Sequence, residues 1–192
     1  MKTRKIILAV AVLGIFTFFG MDVFEKEKLL KEGELVYFDT RSRDPRSLMQ
    51  GDYMRLNYNI ERDIENALAL DTNYNKHQGV VVISPDSQRV ARFVRLHHEG
   101  QPLHDSEMIV RFKNHKNRPR VGATSYLFEE TTAECFSTTR YIAMRIDKNG
   151  NGLLTGLHDW DFCRLVETDS ATYNAWLRKH KLPPPRPVNA ID

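Results

Sequence analysis

Apolar residues run almost unbroken from Ile6 to Phe19 and then, past Gly20, Met21 and the single acid Asp22, to Val23 and Phe24. At a rise of about 1.5 Å per residue, residues 6–24 are about long enough for one membrane span, at the short end of the range. Lys2, Arg4 and Lys5 precede the run, so residues 1–5 are expected in the cytoplasm and the remainder on the far side. A cleaved signal peptide is the competing reading. Its cleavage site needs small residues, and Phe16-Thr17-Phe18-Phe19-Gly20-Met21 supplies them poorly, which favours an uncleaved signal anchor. Residues 25–34 are charged and helix-compatible, a juxtamembrane linker.

Beyond the linker the period changes. Leu35 to Phe38 reads as a short strand, and Pro45 marks residues 39–46 as a turn or extended loop. Met54, Leu56, Tyr58 and Ile60 alternate with Arg55, Asn57 and Asn59, the period of a half-buried strand. Ile64, Ala67 and Leu68 give residues 61–70 a short helical pattern. Residues 79–96 read as a hairpin about Ser84-Pro85-Asp86, and 108–112 as another strand. Residues 141–146 and 152–157 flank Asp147-Lys148-Asn149-Gly150-Asn151, a hairpin turn. A helix is expected over 168–180, then the extended tail Leu182-Pro183-Pro184-Pro185-Arg186-Pro187. The predicted fold is mainly β: a small barrel or sandwich of short antiparallel strands over 35–166. An N-terminal transmembrane helix precedes it, and a short C-terminal helix with a proline-rich tail follows over 167–192.

Composition adds limits. The chain has 192 residues, 41% hydrophobic and 28% charged, an ordinary balance for a domain with a core. Its net charge is +3, and no stripe of Lys and Arg alternates with stacking aromatics, so nothing asks for nucleic acid. Cys135 and Cys163 are a candidate disulfide outside the cytoplasm, adding roughly 3 kcal/mol by loop entropy. The alternative is two separate buried thiols, and one pair makes no zinc site.

Gly51-Asp52-Tyr53-Met54-Arg55-Leu56-Asn57-Tyr58 has the G-D-Y-x-x-L-x-Y spacing, preceded by Asp44-Pro45-Arg46-Ser47-Leu48. Two later blocks follow in order. One is Tyr126-Leu127-Phe128-Glu129-Glu130, with Thr131 where glycine is usual. The other is Tyr141, Arg145 and Ile146, then Gly152, Leu154, Gly156 and Leu157. In these three blocks the chain resembles the GDYXXLXY family over roughly residues 1–160. The resemblance implies a single-pass protein of the bacterial inner membrane, its C-terminal domain in the periplasm or outside the cell. Such proteins are often encoded near multi-pass membrane proteins, so the partner implied is of that kind. It implies no reaction and no cofactor.

The candidate site follows from residue chemistry. Gly51 permits a sharp strand entry, and Asp52 can accept loop amides or pair with Arg46 or Arg55. Leu56 and Tyr58 point with Met54 to the core, and Tyr53 to the other face. Asp44, Arg46, Asp52 and Tyr53, with Arg145 beside the later aromatics, are the candidate binding residues. A structural clasp around the loop is the competing role for Asp44, Arg46 and Asp52, because loop polar clusters more often satisfy backbone groups than ligands.

Other chemistry is weaker. Asp147 to Gly152 fits half of an EF-hand loop, but His158 stands where the bidentate glutamate is needed. His97, His98, His104 and Asp105 share a loop without metal-ligand spacing, and no metal is expected. Ser47 lacks a lysine base, and Glu129 and Glu130 would face opposite sides of a strand. No catalytic residue is assigned. The expected function is an accessory or interaction module for an integral membrane partner; the alternative is a small-ligand or hydrolytic site around Asp44, Arg46 and Asp52.

Overall fold

The structure is a computed structural model that describes residues 2–40, 53–71, 74, 75, 77–115, 118–128, 133–136 and 138–165. Helix α1 (Lys2–Glu32) opens the chain. Strand β1 (Glu34–Asp39) follows, then β2 (Tyr53–Arg55) and helix α2 (Ile60–Leu70). The remaining elements are β3 (Gln78–Pro85), β4 (Ala91–Leu96), β5 (Met108–His115), β6 (Arg118–Val121), β7 (Ser125–Leu127), the short helix α3 (Ala133–Phe136), β8 (Tyr141–Ile146), β9 (Gly152–His158) and β10 (Arg164–Leu165).

Two four-stranded sheets, ordered β1-β8-β9-β10 and β4-β3-β5-β6, accompany a two-stranded ribbon β2-β7. Every pairing between these strands is antiparallel. An isolated parallel bridge, Tyr37 to Val90, ties β1 to the start of β4. The inward faces of both sheets and α2 share one core. Val36, Phe38, Ile142, Met144 and Leu157 meet Val81, Ile83, Val110 and Phe112 there, with Ile60, Ile64 and Leu68 from the helix. The mainly β expectation therefore holds, and both predicted hairpins form.

In the Asp147 turn, Asp147 Oδ1 accepts the N–H groups of Asn149 and Asn151, each at 2.8 Å, while Gly150 adopts φ +80°. Glycine takes that conformation without the steric cost of a Cβ.

The transmembrane part of the predicted fold is corrected. Among the described residues no helix is long and apolar enough to cross a membrane. Asp22 interrupts the apolar stretch, and Glu25, Lys26, Glu27 and Lys28 follow within the same continuous helix, so the C-terminal part of α1 is charged rather than apolar. Residues 25–32, expected as a linker, continue the same helix. Its Leu29 is buried against the β domain, and Arg145 Nη1 donates to the Gly33 carbonyl at 2.7 Å, a cation at the helix's carbonyl end.

Two further expectations change. The strand read over 54–60 ends at Arg55, and Ile60 begins α2, although Met54, Leu56, Tyr58 and Ile60 are all buried as the alternation required. Cys135 is buried on α3 while Cys163 is exposed before β10, and no disulfide joins them. The C-terminal helix and proline tail lie outside the described residues.

Candidate functional site

Within the eight-residue motif, the described part looks inward. Met54 and Leu56 are buried side chains of the core, and Leu56 N–H donates to the Thr124 carbonyl at 3.0 Å. The Tyr58 ring meets Phe38 edge-on at 5.7 Å, and its hydroxyl donates to the Ala123 carbonyl at 2.8 Å. Burial holds that phenol well above its ordinary proton affinity, with Glu61 adding to the effect. Gly122 makes the approach possible: its φ is +71°, and a Cβ there would sit 2.6 Å from Met144 Cε and 3.1 Å from the Tyr58 hydroxyl.

The polar positions between these residues tie the motif to two charged pairs. On one side Glu61, in the first turn of α2, accepts Arg120 Nη1 at 3.0 Å and the Val121 N–H at 3.2 Å. Asn57 Oδ1 accepts the same guanidinium at 3.4 Å. Burial pushes the Glu61 carboxyl up to about 7, opposed by the Val121 N–H and by Arg120. This seam joins α2 to the outer edge of β6, and its carboxylate takes the N–H of Val121 on that edge strand.

On the other side Asn59 Nδ2 donates to Asp39 Oδ2 at 2.6 Å, and Arg140 Nη2 pairs with Asp39 Oδ1 at 2.9 Å. Asn59 occupies the N-cap position of α2 but makes no capping bond with its side chain, which is directed to Asp39 instead. The Arg140 guanidinium lies 4.3 Å from the Trp160 ring centroid and 5.8 Å from that of Tyr141. Trp160 is 66% exposed.

Strand register builds the rest of this surface. Tyr141 on β8 lies opposite both Asp39 on β1 and His158 on β9. Tyr37, two residues before Asp39, packs edge-on to Tyr141, His158 and Phe162. After β9 the chain turns sharply: buried Asp159 accepts the N–H groups of Asp161 and Cys163 through Oδ1 at 3.0 and 2.9 Å. Phe162 adopts φ +60°, a strained conformation for a bulky residue, and the turn that holds it there stacks its ring on Tyr141 at 4.4 Å and 10°. The outcome is a shelf of Tyr37, Tyr141, Phe162 and Trp160 around a guanidinium paired with Asp39. Burial lowers the proton affinity of His158 at its base, with Arg164 assisting, while Asp159 and then burial raise that of the Cys163 thiol.

Of the predicted site residues, Asp44, Arg46, Gly51 and Asp52 lie outside the described residues. Tyr53 pairs with Leu127 in the ribbon, whereas Arg145 lies on β8 in another sheet and serves the end of α1. Among the described residues no group of three or more His, Cys, Asp or Glu is placed to hold a metal. His98 instead faces Asp71 at 3.2 Å and packs edge-on to Tyr74. A groove of about 750 Å³ beside the last turns of α1 is rimmed by charges of both signs, including Glu25, Lys28, Glu32 and Lys148, and offers no convergent chemistry.

Sequence reasoning missed Asp39, Arg140, Trp160 and Phe162 as a unit. The signal available was His158-Asp159-Trp160-Asp161-Phe162, aromatic residues alternating with acids just past a strand. A family model described as GDYXXLXY protein matches residues 15–157, from within α1 to the penultimate residue of β9. No curated protein and no solved structure matches the chain.

Proposed function

The chain belongs to the GDYXXLXY family, and we propose that it acts as a non-enzymatic interaction module that binds a protein partner through the arginine–aromatic shelf. The observation that carries this reading is the Trp160 ring, two-thirds exposed and laid over an Arg140 that Asp39 already orients. Trp, Tyr and Arg dominate the binding energy of protein interfaces, above all where they are held in place before the partner arrives. Here strands β1, β8 and β9 hold them.

Glu61, the carboxylate that burial pushes up to about 7, is engaged with Arg120 and the Val121 N–H, which suits a structural seam better than catalysis. That the partner is a multi-pass membrane protein is what the family resemblance implies; the shelf itself specifies only a protein surface. The ligand or hydrolytic alternative rests on Asp44, Arg46 and Asp52, outside the described residues.

The test is site-specific photo-crosslinking in the native host. A photoreactive residue at Asp161, on the shelf, is expected to capture a discrete protein product. The same residue at Lys148, at the opposite end of the β8–β9 hairpin, is expected not to. Equal capture from both positions, or none from Asp161, would remove the shelf as the binding face.

A further inference from the structure

We propose that the shelf of Tyr37, Tyr141, Trp160 and Phe162 is a docking surface for an extended proline-rich strand, and that its resident occupant is this chain's own Leu182–Pro187 segment. The inference shares its surface with the interaction module proposed above and gives that surface an internal competitor.

The segment reads Leu182-Pro183-Pro184-Pro185-Arg186-Pro187. Each proline fixes φ near −65° and pushes the preceding residue out of the helical region, which leaves polyproline II as the accessible form. Such a helix has already lost most of its conformational freedom and makes no internal hydrogen bonds. It therefore binds aromatic-lined surfaces at low ordering cost, ring faces against proline rings. The shelf offers that surface: the Tyr141–Phe162 stack, the Tyr37 edge and the exposed Trp160 ring, all within the β1–β8–β9 edge and the turn that follows it.

Two further features favour the chain's own tail over a foreign one. Strand β10 pairs Arg164 with His158, so the chain leaves the described fold beside the shelf itself. Residues 166–181 then separate Leu165 from Leu182, a tether that reaches about 55 Å extended and still about 24 Å if wholly helical. Charge agrees as well. Arg186 is the one cation within the proline run, and the Asp161 carboxylate on the shelf is exposed.

The experiment uses the full chain with Trp176→Phe, so that Trp160 is the only tryptophan. Deleting residues 182–192 removes none of the described residues; it is expected to shift Trp160 emission to the red and raise its acrylamide quenching about twofold. A synthetic peptide of residues 182–192, added to the shortened protein, should reverse both changes saturably. A peptide with its prolines replaced by alanine should not, and Asp161→Asn should weaken binding several-fold. Identical emission and quenching with and without residues 182–192 would overturn the proposal. Protection lost on dilution of the full-length protein would assign the tail to a second copy and overturn the intramolecular assignment. Equal binding of an unrelated proline-rich peptide would assign the shelf to a foreign segment instead. Capture of a partner from position 161 is read separately, so the interaction module can stand where the tail proposal fails, and the reverse.

Discussion

Tyr58 and Tyr141 both lie beside antiparallel pairing, yet their environments differ throughout. Tyr58 is 3% exposed, its hydroxyl committed to Ala123 and its ring to Phe38. Tyr141 is half-buried, stacked on a strained Phe162 and flanked by a guanidinium that also supports an exposed tryptophan. The first sits inside the stretch that defines the family. The second sits inside it too, but the partners that make it a surface, Trp160 and Phe162, come after the family match ends at residue 157. The family match thus spans the closed core, and the turn from Asp159 to Cys163, beyond the end of that match, completes the surface proposed for binding. A variant in one region should change stability and spare binding; a variant in the other should do the reverse.

Leu56→Ala should have the largest effect on the core side. Leu56 is 1% exposed within the shared core, and deleting such a side chain typically costs about 2–5 kcal/mol through lost burial and the cavity left behind. The midpoint of urea unfolding should fall with an unchanged slope, while photo-capture from position 161 persists in the folded fraction. Loss of capture at conditions where the variant is still folded would mean that core and shelf are not separable.

The second test uses two carboxylate–arginine pairs with opposite proton affinities. Glu61 is pushed up to about 7 by burial, while Glu107 is held down to about 2, first by its side-chain hydrogen bonds with Arg95 at 2.6 and 3.0 Å and then by the His104 N–H. Glu61 binds its proton more tightly folded than unfolded, so its contribution to stability is full below about 4.5 and is lost as pH rises towards about 7. Glu107 runs the other way, contributing above about 4.5 and losing that contribution as pH falls towards about 2. Glu61→Gln should therefore flatten the pH dependence of the unfolding midpoint between about 4.5 and 7, and Glu107→Gln should alter it only below that window. An unchanged slope in Glu61→Gln would show that the α2–β6 seam carries no proton linkage.

How much of this was readable in advance follows the same division. Period-two alternation placed Met54, Leu56 and Tyr58 on the core face even though regular pairing stops at Arg55, because burial follows side-chain alternation whether or not the ladder continues. The Asp147 turn was readable because its geometry is set by local Asx bonds and one glycine. The shelf was not. Arg140, Asp39 and Trp160 are far apart in the chain, and only the β1–β8–β9 register brings them together. Arg145 was placed near the aromatics by sequence proximity to Tyr141, and alternation does put both on one face of β8, but four residues of strand hold them about 13 Å apart and Arg145 donates to Gly33 at the end of α1. The transmembrane helix differs for another reason: its apolar length runs from Ile6 to Phe24 only by including Asp22, and among the described residues no helix is long and apolar enough to cross a membrane.

Arg145→Ala tests a smaller contact. Its bond to the Gly33 carbonyl ends α1, and a cation at a helix C-terminus contributes about 0.3–1 kcal/mol. Global stability should change by no more than that. Amide exchange in the last turn of α1 should accelerate instead, since local opening of the helix end no longer breaks a charge-assisted bond. Unaltered exchange there would show that Leu29 packing alone holds the helix end.

A comparably small effect on stability is expected at Trp160, and it separates the two regions most sharply. Its ring is largely in water and its chief contact is the Arg140 guanidinium, a cation–π pair worth about 0.5–1 kcal/mol at an exposed site. Trp160→Ala should therefore leave the unfolding midpoint nearly unchanged. Arg140 keeps its Asp39 partner, and Phe162 keeps its stack on Tyr141, so the shelf survives without its outermost ring. Capture from position 161 should nevertheless drop at least tenfold, because a ring that contributes little to folding but covers an oriented guanidinium has its energetic consequence in the complex. A large loss of stability with capture intact would place Trp160 with Tyr58, as part of the core's closure, and the distinction between an inward family core and an outward surface would fail at its clearest residue.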